Sequence, residues 1–352
     1  MRGSSEMEGF ELVVELTSIE GIGENTAEKL ISAGIPNAVA LATSTVPKLV
    51  VIGLTKTTAR KLIQAAQAQC EALFGFTDGT TLLEQCHQRA YLTSGIAGLD
   101  RLLGGKGFET QRVYEIYGPE GTGKSTVLQQ LLCTATLPET KGGLGAQSAY
   151  IDTEGTFSLK RVERIAERFD IPTETIRGAV LKASPPTTDF LLYLCEVSLM
   201  RQAVEHNIRL ICMDSLATLF RVEYGEERSL VHERNQRVAR VLQALKRVAR
   251  AMNGVVVLSN QIAENLTYFG RPWWHWGYPW QQDSQVRIQV RFKSIANAMF
   301  RYTLEKSIDL PPNECLVKLG AQGVEDYVEK RQKSAPPEKF EPEYYGFEDY
   351  KS

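Results

Sequence analysis

The stretch Gly118-Pro119-Glu120-Gly121-Thr122-Gly123-Lys124-Ser125 decides the fold. It fits the spacing GxxxxGK[ST], follows the apolar run Val113-Tyr114-Glu115-Ile116-Tyr117, and runs through Thr126 into a helical stretch. A strand, a glycine loop and a helix in that order let backbone N–H groups wrap phosphate oxygens, and the helix N-terminus adds its dipole. In such a loop Lys124 reaches the β- and γ-phosphates of a nucleoside triphosphate, and the Ser125 hydroxyl holds Mg²⁺. Gly118, Pro119, Glu120, Gly121, Thr122, Gly123, Lys124, Ser125 and Thr126 are the expected nucleotide contacts.

Outward from the loop, Arg112 to about Asp326 alternates buried apolar runs (Val113–Tyr117, Ala149–Ile151, Leu210–Met213, Val255–Leu258) with longer helical stretches. Apolar runs separated by helices predict an α/β core whose mostly parallel sheet is covered on both faces. Chemistry in such sheets sits at the C-terminal ends of the strands. Leu210-Ile211-Cys212-Met213-Asp214 ends in a carboxylate that would face the Mg²⁺ shell. Tyr150-Ile151-Asp152-Thr153-Glu154 delivers an acidic cluster to the same edge, and Glu154 is the carboxylate expected to activate an attacking water. Turn capping by Asp152 or Glu154 is the competing reading.

Before the core, residues 11–70 read as a small all-α domain. Two glycine turns, Glu20-Gly21-Ile22-Gly23 and Ile52-Gly53-Leu54, each open a segment of helix period. Residues 71–90 read as a linker ending in a short helix, 91–326 as the ATPase core, and 327–352 as a flexible tail with the aromatics Phe340, Tyr344, Tyr345, Phe347 and Tyr350 near its end. With 40 Lys+Arg against 42 Asp+Glu the formal charge is −2, which argues against nucleic acid over the whole surface but not against a local basic channel. No apolar run approaches the roughly 18 residues of a membrane span, and no apolar signal core follows the first residues. Six cysteines without CxxC spacing and four dispersed histidines predict reduced thiols and no zinc site. All four tryptophans fall within Trp273–Trp280.

Taken in order, Leu92-Thr93-Ser94-Gly95-Ile96-Ala97-Gly98-Leu99-Asp100-Arg101-Leu102-Leu103-Gly104-Gly105, the glycine loop, Tyr150–Phe157, Asp214-Ser215 and Asn260-Gln261 resemble a RadA-type recombinase, of the archaeal/eukaryotic branch of the RecA superfamily. The resemblance implies a RecA-like P-loop ATPase core that uses ATP and Mg²⁺. It implies a helical filament on single-stranded DNA that pairs and exchanges strands with double-stranded DNA, in the cytoplasm or nucleoid of a prokaryote or in a eukaryotic nucleus. By resemblance Glu154 activates water, Arg161 packs over the adenine, and Gln261 couples the γ-phosphate to the second DNA loop. The N-terminal glycine turns resemble helix-hairpin-helix units, whose amides at Gly21, Ile22 and Gly23 would cup a DNA phosphate with Lys29 nearby; a plain helical bundle for protein contacts is the alternative. Phe76-Thr77-Asp78-Gly79 matches the family's Phe-x-x-Ala/Gly tether, so Phe76 and Gly79 would link protomers head to tail unless Phe76 packs on its own domain.

Three segments depart from the family pattern. The first DNA loop offers Arg228 and Arg234 for phosphates, yet carries Glu226 and Glu227 where repulsion is expected. The second carries Arg271, Trp273, Trp274, Trp276 and Trp280, with Arg287 and Arg291 near, and Gln282 where the family places His. Its rings would stack on bases, form a protein-binding patch, or pack on themselves. Lys306 stands where the family's ATP-cap Asp belongs, so its ammonium would meet the γ-phosphate held by the neighbouring subunit, or else lie solvated. The aromatic tail is the expected contact for protein partners. An ATP-dependent mediator that binds partners without exchanging strands is the alternative function, and a purely regulatory RecA-fold ATPase a more distant third.

Overall fold

The computed structural model describes residues 15–35, 37–71, 76–225, 227–261, 267–268, 271–272 and 284–327. The first helices are α1 (Glu24–Ser32), α2 (Ala38–Ala42), α3 (Val46–Val51) and α4 (Lys56–Gln69). They close on a core of their own, with Leu30, Ile35, Leu41, Leu49, Ala59 and Ala66 at 0% exposure. The two glycine turns recur in the backbone, with φ +89° at Gly21 before α1 and +92° at Gly53 before α4. L-residues avoid that region and glycine enters it freely. Helix α5 (Gly79–His87) follows, its N-terminus capped by the Asp78 carboxylate, which accepts the Thr80 and Thr81 amides at 2.8 and 3.1 Å.

Strands β1 (Tyr91–Leu92) and β2 (Phe108–Glu109) pair antiparallel around helix α6 (Ala97–Leu102). The family-specific segment here is a structural staple. Asp100 accepts the Ser94 amide and hydroxyl at 2.8 and 2.6 Å, and Asp326 accepts the Ala97 amide at 2.7 Å, tying the front of the core to its last strand.

The main sheet contains β3 (Arg112–Gly118), β4 (Gln147–Asp152), β5 (Val180–Ala183), β6 (Ile208–Asp214), β7 (Val255–Gln261) and β10–β13 (Val286–Ser294, Met299–Lys306, Asn313–Gly320, Gly323–Asp326). The short strands β8 (Thr267–Tyr268) and β9 (Arg271–Pro272) pair with each other apart from it. Its order is β13-β12-β11-β10-β3-β7-β6-β4-β5, parallel from β10 to β5 and antiparallel from β10 to β13. All four apolar runs singled out in the sequence are strands of the parallel part. The antiparallel meander β10–β13 was not foreseen, because its residues alternate with polar ones and carry no uninterrupted apolar run.

Side chains alternate across the sheet. Tyr114, Ile116, Leu210, Cys212, Val255 and Val257 enter one core with Leu128 and Leu131 of α7 (Lys124–Thr136) and Ile165 of α8 (Leu159–Glu167). Val113, Ile211, Met213, Val256 and Leu258 enter the other, with Phe220 of α12 (Ala217–Tyr224) and Val241, Leu245 and Val248 of α13 (Val231–Ala251). The period of two explains why runs such as Val255–Leu258 contain no polar break: both faces are buried. Among the described residues no helix is long and apolar enough to cross a membrane.

Candidate functional site

Strand register assembles the site. Gly118 of β3 pairs with Gln261 of β7, and Asp152 of β4 with Asp214 of β6, so four chemically distinct positions meet at the C-terminal edge. Between β3 and α7 the loop turns through φ +74° at Gly121 and +80° at Gly123. At Gly118 a side chain would place its Cβ 2.2 Å from the Val290 carbonyl oxygen, so β3 and β10 can approach there only around glycine. Lys124, 5% exposed, donates from Nζ to the carbonyls of Gly118 and Pro119 at 3.0 and 2.6 Å. Thr122 donates its hydroxyl to the Pro119 carbonyl at 2.8 Å. Burial pushes the Lys124 ammonium down to about 8, against the opposing pull of the Asp214, Glu154 and Glu120 carboxylates.

The two acidic candidates on the β4 turn separate. Asp152 accepts the amides of Gly155, Thr156 and Phe157 at 2.8, 3.2 and 3.3 Å and pairs with Lys182 at 3.1 Å. Turn capping therefore falls to Asp152. Glu154 instead accepts the Thr218 hydroxyl at 3.0 Å and the Gln261 amide at 3.0 and 3.2 Å. Thr218 was not anticipated; its only sequence signal is a hydroxyl four residues after Asp214. Asp214 is 1% exposed and accepts hydroxyls from Tyr150, at 2.7 Å, and from Ser259. The donors at hand, the Ser125 hydroxyl at the start of α7 and the Asp214 carboxylate, are all oxygen, a set suited to Mg²⁺ rather than to a soft metal. Among the described residues no cluster of three or more His, Cys, Asp or Glu side chains could hold a metal.

The more distant candidates are placed unevenly. Arg161 is exposed on the first turn of α8, whose N-cap Ser158 accepts the Arg161 amide at 3.3 Å. Lys306 is half-buried and donates to the Ser284 carbonyl at 2.8 Å, so it is engaged with its own chain rather than solvated. Phe76 is fully exposed, at 113%, on the segment leading to Gly79 and α5, so it does not pack on its own domain.

Two arginines expected at DNA lie inside the protein. Arg234 is 4% exposed, because its position on α13 faces the core. Arg287 is 8% exposed, because it stands on the inner strand β10 and pairs with Glu115 at 2.7 Å. Arg228 opens the short 3-10 turn Arg228–Leu230, and Arg271 lies in β9. Trp273, Trp274, Trp276, Trp280, Glu226, Gln282 and the tail after Tyr327 fall outside the described residues. In the first glycine turn Gly23 caps α1, and the Ile22 amide donates to the Ile19 carbonyl at 3.1 Å. That amide is therefore engaged within the turn and is not offered to a phosphate.

A glycine loop between the first core strand and α7, with a carboxylate at each of two neighbouring strand ends, defines a RecA-like P-loop core. The chain belongs to the Rad51 family, whose model matches residues 86–327, and a SAM-like helix-hairpin-helix tandem matches residues 13–68. It is 34% identical over 264 residues to the DNA repair and recombination protein RadA of Ignicoccus hospitalis, covering 73% of this chain and 79% of that relative. To the protein of the same description from Methanococcus voltae it is 34% identical over 269 residues, covering 72% and 82%. The family resemblance and the fold class drawn from the sequence are both borne out, and the family is in general one of ATPases.

Proposed function

We propose that the chain is a DNA-stimulated ATPase of the recombinase type, which assembles as a filament on single-stranded DNA and exchanges strands with a homologous duplex. The observation that carries this reading is the contact between Glu154 and Gln261 at 3.0 Å. A carboxylate suited to a general base and an amide at the root of the second DNA loop meet beside the phosphate loop, so the group that prepares water also feels where the loop begins. Mg²⁺ held by Ser125, with Asp214 behind it, would neutralise phosphate charge.

Each remaining residue has a defined task. Loop amides from Gly118 to Ser125 hold the phosphates, and Lys124 exchanges its carbonyl partners Gly118 and Pro119 for phosphate oxygens. Glu154 orients the water in line with the γ-phosphate and accepts its proton. Gln261, released from Glu154, reports the γ-phosphate to the loop behind it. Arg161 covers the adenine, and Lys306 reaches the nucleotide of the next subunit. Phe76 and Gly79 join protomers, while Gly21 and Gly23 hold a DNA phosphate without reading sequence. Arg228, Arg271 and the tryptophans of 273–280 supply the loop contacts, the rings by stacking. The aromatic tail binds protein partners, and the domain limits 11–70, 71–90, 91–326 and 327–352 are those read from the sequence.

Electron microscopy of the full chain with ATP and single-stranded DNA, paired with a strand-exchange assay, tests the reading. Regular filaments with exchanged product are expected. Filaments without exchange would reassign the chain as an ATP-dependent mediator.

A further inference from the structure

One more buried carboxylate lies close to the phosphate loop and takes no part in the steps above. Glu115 stands on β3 three residues before Gly118 and is 3% exposed. Its Oε1 accepts the Asn260 amide at 3.0 Å, and its Oε2 accepts Arg287 Nε at 2.7 Å and the Ser284 hydroxyl at 3.3 Å. Asn260 immediately precedes Gln261 on β7, and Ser284 leads into β10. Lys306 of β11 donates to the Ser284 carbonyl at 2.8 Å, and the Arg287 guanidinium lies over the Tyr117 ring, 4.4 Å from its centroid. Strands β7 and β10 thus meet the carboxylate that β3 carries, and β11 joins them through the Ser284 carbonyl.

We propose that Glu115 is a positioning residue: by tying β7 at Asn260 and the lead into β10 at Ser284 to the strand that enters the phosphate loop, it sets where the Gln261 amide meets Glu154. The inference rests on the proposed ATP hydrolysis and deepens it.

The physical case is that this cluster suits geometry better than stability. An ion pair as buried as Arg287–Glu115, with side chains 9% and 5% exposed, is often matched or bettered in stability by apolar residues of similar volume. Asn260 Oδ1 is buried and has no hydrogen-bond partner among the described residues, so the amide is a costly choice for packing alone. Charge-assisted bonds are directional and short, which fixes strand against strand more finely than apolar contact does. A catalytic group displaced by about 1 Å loses on the order of a hundredfold in rate, so a fixed Gln261 has a kinetic value that stability does not measure.

Asn260→Ala and Ser284→Ala each cut one tie and leave the Arg287–Glu115 pair in place. In the full chain with ATP, Mg²⁺ and single-stranded DNA, each is expected to lower kcat about tenfold or more while KM for ATP stays within about threefold. The neutral pair Glu115→Gln with Arg287→Met, assayed if it folds, is expected to show the same split. Wild type and Glu154→Gln run alongside. A wild type that does not hydrolyse ATP overturns the proposed function and this inference with it. An active wild type and an inactive Glu154→Gln, with both tie variants within about twofold of wild-type kcat, overturn the positioning role alone. Variants that melt earlier but keep kcat per bound nucleotide also overturn it, by assigning the cluster to stability.

Discussion

Lys124 shows how a residue's surroundings set its chemistry before any ligand arrives. Buried at the loop, its ammonium is pushed to about 8 from the usual lysine value of 10.5, so the fold favours the neutral amine relative to the unfolded chain. The protonated form therefore burdens the fold below pH 8, and its contribution to stability rises with pH between 8 and 10.5. Phosphate oxygens reverse the preference. ATP binding at pH 9 is expected to take up close to one proton, and affinity to fall as pH rises past 8. Calorimetry in buffers of different ionisation enthalpy measures that uptake, and its absence would separate Lys124 from the phosphates. At Glu154, replacement by Gln keeps the shape that meets Gln261 and removes the carboxylate proposed as the base. The expected loss is about 10²–10⁴ in kcat with nucleotide affinity nearly unchanged, read by single-turnover hydrolysis beside a binding titration. The sequence placed Asp152 and Glu154 on one turn and favoured Glu154 for the water, with turn capping by either as the competing reading. Only the three amides gathered by Asp152 and the Gln261 contact of Glu154 separate them, because which way a side chain leaves a turn depends on neighbours far along the chain.

Elements were readable where their pattern was local. The apolar runs at 113–117 and 255–258 lie on strands because both faces are covered, and the glycine turns before α1 and α4 lie at positive φ as turn chemistry requires. The β10–β13 meander was missed because its polar alternation carries no contrast with loops. Helix α4 begins at a side-chain cap, the Thr55 hydroxyl accepting the Thr58 amide at 3.1 Å. Thr55→Ala is expected to cost about 1 kcal/mol, seen as faster amide exchange in the first turn of α4 with little change in the core domain. At Gly118 the element boundary is steric. Gly118→Ala drives a Cβ into the Val290 carbonyl, and a loss on the order of 3 kcal/mol or more in core stability is expected, measured by urea denaturation. If Gly118→Ala melted like wild type, the close approach of β3 and β10 would have to be relieved by a backbone shift.

At the scale of the whole molecule, the exposed Phe76 is the residue that the proposed head-to-tail assembly would bury. A phenylalanine side chain left wholly in water forgoes burial worth about 1.5–3 kcal/mol, and an open head-to-tail contact repeats that gain at every subunit. Phe76→Glu is expected to shift the chain from long assemblies to small species in sedimentation velocity with ATP and DNA. Unchanged assemblies would place the joint between subunits elsewhere. Charge points the same way: a net charge of −2 argues against nucleic acid over the whole surface, so the proposed DNA contacts would be local ones, repeated along an assembly. The order of residues along the chain was enough for the phosphate loop and for each glycine turn, short patterns whose physics is complete within about ten residues of backbone, and for the RecA-like class through the ordered succession of such patterns. The pairing of Glu154 with Gln261, the burial of Arg234 and Arg287 and the convergence of β7 and β10 on Glu115 needed the folded sheet. Those contacts join residues more than a hundred positions apart or depend on which face of an element is covered, and register and packing alone settle both.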